Sequence, residues 1–114
     1  MLAPETIVHG IFDDEGNEVR GPVAFRAFHR KFLEAFPNLT VQVVDTVTEG
    51  NKQACRCVVR GRHEGGSLGF AATQADVEFT GMGIAYIKDG RILECWNNFD
   101  FLALYSQLGM IKQM

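Results

Sequence analysis

The sequence predicts an α+β fold, a curved antiparallel sheet wrapped as a cone around one long aromatic-rich helix. Three observations predict it. Between Pro22 and Pro37, residues Phe25, Phe28, Phe32, Leu33 and Phe36 recur at three- and four-residue spacing, which is the stripe of an amphipathic helix. Beyond that helix, Val-, Thr- and Ile-rich runs succeed one another from Thr40 to Phe99 with short turns between them. Asp89-Gly90 stands between two such runs and marks a two-residue hairpin turn.

Leu2 to Gly10 reads as a short extended or irregular lead-in, and Phe12 to Gly21 as a polar turn region. Gly21-Pro22 opens the helix, because proline in a first turn gives up an N–H that has no partner there. Pro37 ends it. Thr40 to Glu49 and Gln53 to Glu64 are strands joined by a turn at Gly50-Asn51-Lys52. In the second strand Cys55, Cys57, Val59, Gly61 and His63 share one face, so His63 is in phase with the apolar side. Gly65 to Asp76 is a small-residue loop in which Leu68 and Phe70 are either a pocket rim or part of an ordinary crossover. Val77 to Phe99 forms the hairpin, and Phe101 to Leu108 a short closing helix stopped by Gly109.

If Lys88 pairs with Arg91, regular alternation pairs Ala85 with Glu94, Gly83 with Trp96 and Gly81 with Asn98. That register places Trp96, Asn98, Glu94 and Asp100 on one face with Gly81 and Gly83. Met82, Ile84, Tyr86, Leu93, Cys95 and Phe99 fall on the other. Glycines inside a strand mark close approach to the backbone, here beside a tryptophan and a carboxylate. Asp100 is also a favoured N-cap for the helix that follows, and the two roles can coexist.

The chain has 114 residues and reads as a single domain spanning 1–114, with 46% hydrophobic and 22% charged residues and a formal charge of -3. No basic run offers a footprint for nucleic acid, and no stretch approaches a membrane span. The expected location is cytoplasmic. Cys55 and Cys57 sit at i and i+2, a spacing that fits neither a disulfide framework nor a zinc pair, so all three cysteines are expected as reduced thiols. Nine phenylalanines point to a large aromatic core or an apolar ligand cavity.

Val8-His9-Gly10, Phe36-Pro37-Asn38-Leu39, Gly61-Arg62-His63-Glu64-Gly65, Phe79-Thr80-Gly81-Met82, and Asp89-Gly90-Arg91-Ile92 leading to Trp96-Asn97-Asn98-Phe99-Asp100 occur in an order that resembles the SnoaL-like polyketide cyclase and ester cyclase group. That group belongs to the nuclear transport factor 2-like superfamily of cone-shaped α+β barrels. The resemblance implies ring closure on a small hydrophobic carbonyl compound without cofactor or metal, with Asp100 as acid/base. It places His63 and His9 along the cavity. Relatives carry one or two helices ahead of the segment matched by Leu2 to Gly10, so the resemblance implies a cone without those helices.

From the residues themselves, Trp96 supplies a flat apolar wall and Asn98 a hydrogen-bonding group, with Phe28, Phe32, Phe79 and Phe70 as further lining. His63 is read either as a core histidine held by backbone or as a catalytic partner of Asp100. Three functions remain open: a cofactor-independent cyclase, isomerase or lyase; a non-catalytic binder of a small hydrophobic molecule; and an interaction module. A homodimer or higher homo-oligomer is expected for each, because the outward apolar face of the predicted hairpin needs covering.

Overall fold

The computed structural model describes residues 2–13, 15–69 and 71–110. The elements run β1 (Leu2–Phe12), β2 (Glu18–Arg20), α1 (Gly21–Ala35), β3 (Thr40–Glu49), β4 (Lys52–Arg62), β5 (Asp76–Lys88), β6 (Arg91–Phe99) and α2 (Phe101–Gln107). The strands make one sheet in the order β2-β1-β6-β5-β4-β3. The α+β architecture is the expected one, with a correction to the pairing. β1 runs parallel to β6, so the curved sheet is mixed.

A second correction concerns the lead-in, which is an eleven-residue strand flanked on both sides. Its buried residues are Ala3, Thr6, Val8 and Ile11, spaced by three, two and three. The second break in period falls at Gly10, whose φ of +84° bends the strand and moves Ile11 back into phase. Plain alternation misses a strand that changes phase midway. Val8 and Ile11 pack with Val19 of β2, backed by Phe25 and Phe28 of α1.

The helix starts at Gly21-Pro22 as expected and ends at Phe36, whose N–H donates to the Phe32 carbonyl at 2.8 Å. Phe36 is fully buried in the larger core, with Val59, Phe79 and Leu104. The α1 helix therefore lies over one face of the sheet, here called inner. Along β4 that face carries Cys57 and Val59, both buried, and His63 just beyond the strand, as its phase predicts.

The Asp89-Gly90 turn forms as expected, with φ of +53° and +75° matching the twist of the flanking strands. Lys88 faces Arg91 and Ile87 faces Ile92, and there the expected register ends. A bulge around Leu93 shifts the ladder, so that Tyr86 faces Glu94, Ile84 faces Trp96, Met82 faces Asn98 and Gly81 faces Phe99. One extra residue exchanges every later side chain between faces. Cys95, Asn97 and Phe99 point inward, whereas Glu94, Trp96 and Asn98 join Met82 and Ile84 on the outer face. Gly81 makes room for Phe99 rather than for Trp96. A Cβ at Gly81 would lie 2.3 Å from the Phe99 ring.

Among the described residues no helix is long and apolar enough to cross a membrane. Cys55, Cys57 and Cys95 are free thiols. Burial pushes the Cys57 and Cys95 thiols up, which keeps both protonated and poorly nucleophilic.

Candidate functional site

A cavity of 280 Å³ opens between α1 and the inner face of the sheet. Phe25, Phe28 and Phe32 of α1 form its roof, because their stripe faces the sheet. Val59, Phe79 and Phe99 form its floor, and Phe101 at the start of α2 closes one end. Leu39 and Val41 border it at the β3 edge, where Val41 is 58% exposed. The rings interlock: Phe28 with Phe32 at 5.1 Å, Phe99 with Phe101 at 5.9 Å and Phe79 with Phe101 at 6.2 Å between centroids. Such a wall favours a flat apolar ligand.

Among the described residues, two polar side chains line this cavity, Asn97 and His29. Asn97 points inward because of the bulge at Leu93. Its Nδ2 donates to the His9 carbonyl oxygen at 3.1 Å and lies 3.6 Å from Cys95 Sγ. With its donors engaged, the amide presents Oδ1 as an acceptor, 3.2 Å from where a Cβ on Gly83 would stand. The absence of a side chain at Gly83 keeps space beside that oxygen. His29 lies one turn beyond Phe25 on α1, its ring parallel to that of Phe25 at 6.3 Å, and is exposed at the cavity mouth.

Phe28, Phe32 and Phe79 line the cavity as the sequence predicts. Phe70 lies outside the described residues. Trp96 and Asn98 border a separate, wider trough of 570 Å³ on the outer face, shared with Val47, Met82 and Ile84. Regular alternation placed them with the cavity; the bulge turns them away. Asp100 is exposed at the N-terminus of α2, where its Oδ1 accepts the Ala103 N–H at 3.0 Å. It caps the helix and is not part of the cavity wall.

His63 is fully buried behind Phe36, with ring centroids 5.5 Å apart, rather than in the cavity. Its Nδ1 accepts the Thr73 N–H at 3.0 Å, which requires an unprotonated Nδ1 and ties the crossover loop to the end of β4. The backbone closes the same junction through His63 N–H to the Ala75 carbonyl at 2.9 Å.

His9 is on the outer face, half-buried, stacked on Trp96 at 5.4 Å. Its Nε2 pairs with Glu94 at 2.5 Å and its Nδ1 with Glu18 at 3.1 Å, fastening β2 and β6 to β1. The hydrogen bond to Glu94 raises the imidazole above its ordinary value, and Glu18 adds to this against the opposing effect of burial. Because the folded value is raised, the stabilisation is complete below the unfolded histidine value near pH 6.5 and is lost as pH climbs through the folded value. Denaturant titrations are therefore expected to show wild type more stable than His9→Gln at about pH 6, with the gap narrowing by about pH 9. A constant gap would sever the link to His9 charge.

Among the described residues no group of three His, Cys, Asp or Glu side chains gathers to hold a metal.

The SnoaL-like polyketide cyclase family matches residues 2–108. No curated protein matches the chain. IdmH from Streptomyces antibioticus, a candidate polyketide cyclase, is 30% identical, with a TM-score of 0.82 over 96% of this chain and 82% of that one. TsrD from Streptomyces laurentii is 29% identical, with a TM-score of 0.81 over 96% and 78%. AclR from Streptomyces galilaeus, a candidate hydroxylase, is 24% identical with a TM-score of 0.82 over 99% and 72%, a likeness of fold alone. With its mixed curved sheet, its aromatic helix and a family match over nearly its whole length, the chain belongs to the SnoaL-like polyketide cyclase family.

Proposed function

We propose that the chain binds a small, apolar, enolisable carbonyl compound beneath α1 and favours its ring closure by holding it folded, with Asn97 as the orienting group. The observation that carries this reading is the composition of the cavity wall, aromatic from α1, β5 and β6 around a single pinned amide. Confinement of a flexible chain near its closing geometry lowers the barrier through prepaid entropy. An acceptor at Asn97 Oδ1 would bind the hydroxyl of an enol and stabilise that tautomer over the ketone. An enol is the nucleophilic partner of an aldol closure. The exposed, helix-capping position of Asp100 gives no support to a proton-transfer role for that carboxylate, and a wall without an acidic group among the described residues equally suits a binder that performs no reaction.

Titration with 2-tetralone, an enolisable bicyclic ketone, followed by amide chemical shifts, tests the binding. Shifts are expected at Phe28, Phe32, Phe79 and Asn97, and perturbation confined to Trp96, Met82 and Ile84 would move the site to the outer trough. Asp100→Asn should bind within about twofold of wild type, since asparagine caps a helix about as well as aspartate and the side chain at this position is not in the cavity wall. A larger loss would return Asp100 to the site.

A further inference from the structure

We propose that the outer face of the sheet is a self-association surface, on which a second copy of this chain packs face to face about a two-fold axis running along the strands between β4 and β5. The proposal is independent of what the cavity beneath α1 binds.

The register lines up four apolar side chains in one row across the sheet: Val47 beside Ala54, Ala54 beside Ile84, and Ile84 beside Trp96. The bulge at Leu93 completes the row by turning Trp96 outward in place of Cys95. With Met82 these residues line the 570 Å³ trough, and they are open to water, Val47 at 69% and Met82 at 59% exposure. An apolar band that crosses four strands with polar groups on its borders has the anatomy of an interface, unlike apolar residues scattered singly. Among the described residues the charged groups lining the trough are Asp45 and Arg56, which pair with each other at 2.8 Å. The trough therefore carries no net charge to draw a polyanion or an anionic membrane.

The symmetry of the face points to a second copy as its occupant. A two-fold axis along the strands lays β3 on β6 of the copy and β4 on β5. Val47 then meets Trp96 of the second copy and Ala54 meets Ile84, a smaller side chain against a larger one each time. Arg60 and Glu78 are cross-strand neighbours paired at 2.6 Å, and under the same axis each faces its opposite in the copy, closing a ring of alternating charge. Asp45 faces Asn98, which can donate to it. Glu49 faces Glu94 at the rim, where Glu94 is held by His9 and Glu49 has Lys52 beside it. An axis across the strands would instead set Arg56 on Lys52 and Asp45 on Glu49, so charge selects the first arrangement. Sheets packed in this way lie about 10 Å apart with their strands within about 30° of each other. Four strands of nine or so residues project roughly 600 Å² before the relief of the side chains is added, close to the roughly 800 Å² per partner of a standard interface.

Sedimentation equilibrium of the whole chain between about 1 and about 100 μM tests this, with a dimer expected at the upper end. Trp96 is the only tryptophan, so its emission reports on the face directly and should shift to the red as dilution separates the copies. Val47→Lys and Met82→Lys are each expected to weaken association about 100-fold, and both positions are exposed, so circular dichroism should show the fold retained. Val23→Lys, at an exposed apolar position on α1, should leave association unchanged. A monomer at about 100 μM overturns the proposal, whatever other protein the trough might accept. A dimer that both trough variants leave intact, or whose tryptophan emission ignores dilution across the transition, places the contact elsewhere and overturns it too.

Discussion

Gly10→Ala should destabilise the fold by about 3 kcal/mol or more, a large share of the roughly 5–15 kcal/mol available to a domain of this kind. Two costs combine. The backbone at Gly10 has φ of +84°, which side chains rarely adopt, and a Cβ there would fall 1.9 Å from the carbonyl oxygen of Asn97. That obstacle is backbone in the neighbouring parallel strand, so no rotamer relieves it and β1 must separate from β6. The same movement carries away the His9 carbonyl that anchors the Asn97 amide. Urea unfolding of the variant is therefore expected to show both a lower midpoint and, at denaturant concentrations where it remains folded, weakened binding of 2-tetralone. A midpoint within about 1 kcal/mol of wild type would mean that β1 is not held in this parallel arrangement.

The helix, the hairpin turn and the cavity roof were legible in the sequence because each depends on local chemistry. A phenylalanine stripe between two prolines admits one reading, and Asp-Gly between β-rich runs fixes a turn whatever surrounds it. Asn97 and Trp96 were not legible, since their faces depend on a bulge several residues away that the composition of Arg91 to Leu93 does not announce. Counting by twos from a correct turn gave the wrong side of the sheet for the β6 residues beyond the bulge, Glu94 to Phe99. β1 was hidden by the same physics, its alternation broken at Gly10. His29 carried a readable signal: it stands four residues from Phe25 and three from Phe32, within the stripe itself. Asp100 shows the opposite case, in which the plain capping preference of an aspartate accounts for the observed geometry. Fold transfers readily across this family because it rests on many such local agreements. Site residues depend on single registers, and a cyclase candidate and a hydroxylase candidate can share the same frame.

Gly81→Ala provides the companion test, with a different remedy. Its Cβ would lie 2.3 Å from Cδ1 and 2.5 Å from Cε1 of Phe99, an overlap with a side chain rather than with backbone. The ring can move, but only toward Phe79 and Phe101, whose centroids already stand 6.4 Å and 5.9 Å away, or into the cavity. Overpacking of this sort costs about 1–3 kcal/mol. A ring displaced into the cavity also takes volume from the ligand, so the substitution should weaken 2-tetralone binding in proportion to its structural cost. Shortening the partner separates the two effects. Phe99→Leu alone should lose about 1–3 kcal/mol by opening space beside Phe79, whereas Gly81→Ala/Phe99→Leu should be more stable than the two single costs predict, because the added methyl fills part of what the smaller side chain vacates. Strict additivity in that double-mutant cycle would place Phe99 away from Gly81 and undo the shifted register. Positive coupling, together with recovered binding in the double variant, would tie the bulge at Leu93, the inward turn of Phe99 and the ligand cavity into one arrangement.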